Sequence, residues 1–234
     1  MLGDAVSEAY RLIVSQDPAL LHAIGVTLGC SLAATALAVL LATPLGILLG
    51  RRSFRGRRAI LVIAHTAMAL PTVVVGLFCY ALLSRRGPMG NLGLLYTCEA
   101  IVIGETLLAV PIVVSLFSAA TRQLDPRLEM AARTLGASRL GVFRVVLREG
   151  SPALLTSAMA AFGRVVSELG IALIVGGNIE GYTQTLTGMI AFQSSKGEFA
   201  LAMAAGIVLL VIALGVNLAA HAIKLPHGGP GHVR

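Results

Sequence analysis

Two residues of opposite charge stand four positions apart inside an otherwise apolar stretch of the chain. On a helix, Arg164 and Glu168 lie about 6 Å apart along the axis, so that an ion pair between them forms easily. A guanidinium at such a place supplies the positive potential that an anion needs to cross an apolar layer, and the carboxylate orients it. The same spacing suits a structural ion pair that locks the helix to a neighbour. The residues leave both interpretations open.

A second group of polar residues follows this stretch, in segment 178–187. Its hydroxyl and amide groups are directed donors that bind an oxyanion without adding charge. They serve equally well to dock a partner protein or to cap a short helix. We therefore predict a translocation pathway or gate, formed by Arg164, Ser167, Glu168, Asn178 and Thr183.

Catalytic chemistry is not indicated by these residues. An intramembrane protease needs a nucleophile and a base in register, and Ser167 beside Glu168 with a distant His65 does not provide them. Glu105 lies in another apolar stretch, where either an arginine or a Ser or Thr hydroxyl would serve as its partner, and no residue identifies which. The three cysteines have no spacing typical of a zinc site or a disulfide framework. We predict that the chain is not an enzyme and binds no metal.

The composition indicates that these polar residues are positioned by membrane-spanning helices. Of 234 residues, 56% are hydrophobic and 12% are charged, against about one quarter charged in a soluble domain. Five segments contain the roughly 20 apolar residues that a helix needs to cross a bilayer, namely 20–50, 59–84, 100–121, 151–176 and 199–223. We expect a single all-α permease domain over residues 1–225, and a disordered tail over 226–234.

The distribution of basic residues predicts the orientation of these spans. The two loops that follow the first and third spans hold eleven arginines, and with the two basic residues after the last span they make thirteen on one side against four on the other. Because basic loops remain in the cytoplasm, we predict the N-terminus outside and the C-terminus inside. The same asymmetry explains the net charge of +7 without nucleic acid as a partner.

The basic loop at 124–150 has the pattern of two short helices. Asp125 and Pro126 are typical of a helix start, Gly136 of a helix end, and Ser138 of a second start. The first helix should run for about three turns, with an apolar face made by Leu128, Ala131, Ala132 and Leu135. Helices this short need the membrane bundle or a partner to bury that face.

This loop resembles the Glu-Ala-Ala loop of ABC importer permeases, through segment 130–138 (MAARTLGAS) and the FRVVL that begins at Phe143. In that family the loop forms the coupling helix that inserts into a groove of the ATPase subunit. Met130 occupies the family's glutamate position, and Glu129 lies one place early. The resemblance implies ATPase-coupling residues, namely Glu129, Ala131, Ala132, Leu135 and Gly136.

Other segments are similar to oxyanion permeases. Segment 70–77 (LPTVVVGL) resembles molybdate and tungstate permeases, and segments 147–150 (LREG), 163–170 (GRVVSELG) and 176–179 (GGNI) resemble the tungstate branch. The resemblance implies the type I ABC importer permease fold in the cell membrane and the import of a tetrahedral oxyanion, tungstate before molybdate or sulfate. A more remote alternative is an ion-coupled secondary transporter.

The resemblance also implies which partners the chain has. It contains no phosphate-binding loop, so we expect ATP and Mg to be bound by a separate ATPase dimer. An extracytoplasmic oxyanion-binding protein would deliver the substrate, because the outer loops are short. Two copies of this chain would enclose one pathway.

Overall fold

The chain folds as a bundle of α-helices. We use a computed structural model, which describes residues 2–223 and the side chains of residues 6–220. The described residues contain no β-strand and one 3₁₀ turn, Gly90–Leu92. The predicted tail, 226–234, lies outside the described residues. The helices are α1 (Leu2–Val14), α2 (Pro18–Arg51), α3 (Arg57–Met68), α4 (Thr72–Leu83), α5 (Cys98–Gln123), α6 (Arg127–Thr134), α7 (Arg139–Glu149), α8 (Ser151–Val166), α9 (Gly170–Gly176), α10 (Leu186–Lys196) and α11 (Phe199–Ile223).

Three of the described helices, α2, α5 and α11, are long and apolar enough to cross a membrane. The pair α3–α4 and the pair α8–α9 meet that requirement only together, and they are bent by 102° and 63°. The predicted all-α membrane fold is confirmed. However, the sequence indicated one helix for each of 59–84 and 151–176, and both helices are broken.

The break between α3 and α4 has a covalent cause. Pro71 has no N–H to donate, and its ring disfavours helical geometry at Leu70. A new helix then starts, in which the N–H groups of Val74 and Val75 donate to the carbonyl of Pro71 at 2.9 and 3.2 Å. In contrast, Pro44 and Pro111 lie inside helices that continue through them.

The centre of the bundle is the long contact between α2 and α5. Ala34, Ala38 and Ala42 of α2 are fully buried along it. Nearer the end of α2 the backbones come so close that a Cβ on Gly50 would lie 2.0 Å from the Thr121 hydroxyl. The Thr121 hydroxyl also lies 3.3 Å from the carbonyl of Gly46. Small residues thus allow the close approach that holds helices together in lipid.

The N-terminal segment forms a helix that the sequence analysis did not anticipate. Among the side chains of α1 that the structure describes, from Val6 onward, Ala9 is the buried one, and it lies in an apolar cluster with residues of α10 and α11 such as Leu186 and Ala204. Asp17 then caps α2, because its Oδ1 atom accepts from the N–H groups of Ala19 and Leu20, both at 3.0 Å. Leu20 and Ala23 of α2 belong to the same apolar cluster, so the start of α2 lies beside the last two helices.

Candidate functional site

The loop predicted at 124–150 is a pair of helices, α6 and α7. The Oδ1 atom of Asp125 accepts from the N–H of Arg127 at 2.8 Å where α6 begins. Gly136 follows α6 with a φ of +80°, the left-handed conformation that ends a helix. Ser138 then accepts from the N–H of Gly141 at 3.2 Å and starts α7. The predicted helix pair is confirmed, but α6 has eight residues and therefore two turns instead of three.

The predicted coupling residues of α6 divide between two faces. Leu135 is 87% exposed and Met130 is 61% exposed, and Ala131 and Gly136 are exposed beside them. Ala132 is only 9% exposed and faces the protein's own interior. The sequence predicted that these residues share one apolar face. The prediction was wrong for Ala132, which packs within the subunit.

The fifth predicted coupling residue, Glu129, forms an ion pair within the chain. Its Oε1 atom accepts from the Nε atom of Arg51, the last residue of α2, at 2.6 Å. Arg51 also donates to the carbonyls of Thr121 and Leu124, at 3.3 and 2.7 Å. Arg133 lies 3.7 Å from the other carboxylate oxygen and is half exposed. The Arg51 side chain thus joins α2, the end of α5 and α6.

The predicted pair of Arg164 and Glu168 is present at the break between α8 and α9. The Arg164 Nη1 atom donates to Oε2 of Glu168 at 2.9 Å. The other carboxylate oxygen accepts from the N–H groups of Gly170 and Ile171, at 2.8 and 3.3 Å. Glu168 therefore lies beyond the end of α8 and caps α9, where the helix dipole favours a negative charge. Its side chain is 3% exposed, whereas that of Arg164 is 39% exposed.

Ser167 also lies in this break, but its side chain is exposed. Its hydroxyl is within hydrogen-bond distance of the carbonyls of Gly163 and Arg164, at 3.3 and 3.2 Å. The hydroxyl thus hydrogen-bonds to the last turn of α8. Ser167 makes no side-chain contact with Glu168 that would activate it as a nucleophile.

The two bent helix pairs meet at their breaks. Gly170 is the first residue of α9, and a Cβ there would lie 3.0 Å from the hydroxyl of Thr72 and 3.1 Å from the backbone nitrogen of Val73, at the start of α4. A Cβ on Gly76 would likewise lie 3.3 Å from the carbonyl of Gly170. Glycine at 170 therefore permits the two breaks to lie in direct contact.

Asn178 and Thr183 lie together in the segment that joins α9 to α10, here called the polar loop (residues 177–185). The Thr183 hydroxyl donates to the carbonyl of Gly176 at 2.6 Å and accepts from the N–H of Ile179 at 3.1 Å. Asn178 has a φ of +49°, and its Nδ2 atom lies 3.5 Å from the carbonyl of Gly188. Both predicted residues thus hold the loop in shape.

Three neighbouring residues that were not selected from the sequence complete this region. The Thr187 hydroxyl donates to the carbonyl of Glu168 at 2.8 Å, and it lies 2.9 Å from the Thr185 hydroxyl. Gln184 is 2% exposed, and its Nε2 atom has no partner among the described residues, nor has Oδ1 of Asn178. The sequence showed these residues only as members of the polar segment 178–187, and nothing in that segment distinguished one hydroxyl group from another. Thr187 connects α10 to the break between α8 and α9.

Glu105 is the other buried carboxyl group of the bundle. It lies on α5, is 2% exposed and faces Ser31 on α2. Its Oε2 atom and the hydroxyl of Thr35 have no hydrogen-bond partner among the described residues. The sequence had left open an arginine or a hydroxyl as its partner. The hydroxyl of Ser31 also has no hydrogen-bond partner among the described residues, so the partner of Glu105 stays a prediction.

Comparison with known proteins identifies the family of this helical bundle. The profile of binding-protein-dependent transport system inner membrane components matches residues 42–224. The chain belongs to this family. It is 35% identical over 223 residues to the tungstate uptake system permease protein TupB of Peptoclostridium acidaminophilum, covering 95% of this chain and 98% of that one. The corresponding protein of Campylobacter jejuni is 38% identical over 221 residues, covering 94% and 92%.

Solved structures show the same fold at low sequence identity. A chain of the MetNI methionine ABC transporter, in an inward-facing conformation, superimposes with a TM-score of 0.70 at 18% identity. The match covers 88% of this chain and 95% of that chain. The fold is therefore that of an ABC importer permease, as the resemblance implied.

Family membership establishes the general role of the chain. It is a membrane-embedded permease subunit and not an enzyme, and permeases of this family work with an ATPase and a substrate-binding protein. Sulfate and molybdenum transport permeases are more distant relatives. The secondary-transporter and protease alternatives are excluded by this assignment.

Proposed function

We propose that this chain is the membrane-spanning subunit of an ATP-driven importer of a tetrahedral oxyanion, and that the anion is tungstate. The observation that carries the proposal is the match to two tungstate uptake permeases over more than nine tenths of the chain and of each relative. Molybdate and sulfate are the second candidates, because permeases named for them are also relatives.

Uptake by the complete transporter tests the substrate. The permease would be reconstituted in vesicles with its ATPase and anion-binding protein, and labelled tungstate uptake would be measured against a tenfold excess of unlabelled anion. We expect tungstate to abolish uptake of the label, molybdate to reduce it and sulfate to leave it unchanged. Sulfate competing as well as tungstate would overturn the tungstate assignment.

The exposed part of α6 is proposed as the surface that docks on the ATPase, which binds ATP and Mg. Met130 on α6 and Leu135 directly after it support this role, because large apolar side chains that are exposed side by side indicate a protein contact. Leu135→Asp should prevent copurification of the ATPase and leave membrane insertion unchanged. Leu140→Asp on α7, 56% exposed, is a matched control. Wild-type copurification with Leu135→Asp would contradict the docking surface.

We further propose that two copies form the transporter, each with its N-terminus outside and its C-terminus inside. The orientation is supported by the thirteen basic residues on one side against four on the other. Reporters fused after Arg58 and after Gly90 should be cytoplasmic and external. Crosslinking in membranes should give a species of twice the subunit mass. A reversed reporter pattern would invert the orientation.

The pathway is proposed to pass the break between α8 and α9. Arg164 supports this placement because its side chain remains 39% exposed while that of its partner is buried, so its positive charge is accessible at the surface of the subunit. Glu168 orients that charge, Ser167 lies exposed beside it, and Asn178 and Thr183 hold the adjoining polar loop as a gate. An oxyanion passing this point would meet one fixed cation and neutral donors.

A further inference from the structure

The docking helix α6 is tied to the membrane bundle by one ion pair, between Glu129 and Arg51. We propose that these are positioning residues, which transmit the movement of α6 to α2, and that Glu129 is not itself a contact with the ATPase. The inference rests on the proposed function, because it concerns coupling between an ATPase and a permease.

The geometry of the pair favours an internal role. The Arg51 Nε to Glu129 Oε1 distance is 2.6 Å, and the two side chains are only 9% and 17% exposed. Glu129 therefore has little surface left for a partner. Its second cation, Arg133, lies at 3.7 Å and is 52% exposed, so that water screens this contact.

Arg51 is itself fixed on its other side. Its Nη1 atom donates to the carbonyls of Thr121 and Leu124, which stand at the C-terminal end of α5, where carbonyls lack partners within the helix. A planar guanidinium that makes three directed contacts has little freedom to turn. Glu129 thus binds to a cation that is already rigidly attached to α2 and α5.

An isolated α6 would not keep its position. It has only eight residues, too few for a stable helix in water without tertiary contacts. Its exposed side includes Met130 and Leu135, which contribute nothing to its attachment within the subunit. Its attachments to the bundle are the three residues that connect it to the end of α5, buried Ala132, the turn into α7, and the pair with Arg51. Among the described hydrogen bonds and ion pairs, the pair with Arg51 is the one that joins α6 to α2.

Hydrogen exchange on the full chain in detergent tests the attachment without any partner. In Glu129→Gln, amide exchange over 127–134 should rise about tenfold, because the helix loses its charged tie. Glu149→Gln, which removes an exposed carboxylate at the end of α7, should leave exchange unchanged. Arg51→Gln should match Glu129→Gln, and the double variant should be no worse than Arg51→Gln alone. Unchanged exchange in Glu129→Gln would overturn the proposal.

Coupling in the reconstituted transporter gives the functional readout. Glu129→Gln should still copurify with the ATPase and hydrolyse ATP, but anion uptake per ATP hydrolysed should fall about fivefold. An unchanged ratio would overturn the transmitting role. Lost copurification with unchanged exchange over 127–134 would show that Glu129 is a direct contact, which also overturns it. If wild type binds no ATPase, the proposed function fails, whereas the exchange result still decides whether the pair holds α6.

Discussion

Each of the two bent helix pairs contains a sharp turn, but the two turns have different chemical causes. Between α3 and α4 the chain turns by 102° at Pro71, where the missing N–H and the ring enforce the break. Between α8 and α9 it turns by 63° without a proline, and the carboxylate of Glu168 replaces the lost helical bonds. The first bend is built into covalent geometry. The second depends on one side chain keeping its hydrogen-bond partners.

The bend at Pro71 is therefore expected to be permanent, whereas the bend at Glu168 is able to change. Pro71 lacks its N–H in every state of the chain, whereas a side-chain cap is released when its partners move. The Thr187 hydroxyl binds the carbonyl of Glu168 and lies 2.9 Å from the hydroxyl of Thr185 in the polar loop, so both α10 and the polar loop are attached to the bend that is able to change. We therefore expect substitutions at the two bends to differ in both size and kind.

The largest effect is expected from Glu168→Ala. It leaves the N–H groups of Gly170 and Ile171 without an acceptor and removes the partner of Arg164, which should cost about 3 kcal/mol of folding free energy. The thermal midpoint of the purified subunit, followed by size-exclusion chromatography, measures this loss. Ser167→Ala in the same break is the control and should unfold like wild type. Equal midpoints for the two variants would contradict the capping role.

Gly170→Val should have the next largest effect, about 2 kcal/mol, because the added side chain meets the first residues of α4. The Cβ alone would lie 3.0 Å from the Thr72 hydroxyl. Gly163→Val is a matched control on α8, since nothing lies within 4 Å of a Cβ at that position. If both variants unfold at the same temperature, the two breaks are not in the close contact described here.

Arg164→Leu should lower stability by only about 1 kcal/mol, because the arginine is partly solvated and Glu168 keeps its amide donors. Uptake tests whether the bend also carries charge for the anion. If Arg164 is in the pathway, uptake per assembled transporter should fall at least about tenfold, and Arg164→Lys should retain more of it. Replacing Glu168 as well with Leu should not restore stability, since the cap of α9 is then lost. Full uptake by the double variant would make Arg164 a packing residue.

Pro71→Ala should have the smallest effect, about 0.5 kcal/mol, chiefly through the greater freedom of the unfolded chain. The bend should persist because α4 packs on α9, where Gly76 lies against Ile174 and Gly170. Thermal unfolding and uptake of Pro71→Ala both measure this, with wild-type uptake expected. A large loss of uptake would show that the proline bend is functionally required to stay rigid.

The sequence predicted those features that depend on local chemistry. Asp125, Gly136 and Ser138 indicated the ends of α6 and α7. The ion pair between Arg164 and Glu168 followed from their spacing.

Features that depend on distant residues were not predictable in this way. The orientation of Glu129 is set by Arg51, which is 78 positions away, and the burial of Ala132 is set by the bundle. The break at Glu168 escaped prediction because its cause is a side chain that bonds forward to two backbone amides. α1 was missed because its apolar partners belong to α10 and α11, almost 200 residues later.

The long helix α2 forms a hydrogen bond or ion pair with another segment of the subunit near each of its ends. Near its start the Thr27 hydroxyl accepts from the N–H of Leu186, at the junction of the polar loop and α10, at 2.8 Å. At its last residue Arg51 holds α6. These two points are about 36 Å apart along the helix axis. A displacement of α6 would therefore be transmitted to the polar loop by a rigid-body movement of α2. No series of side-chain contacts between the two sites would be needed.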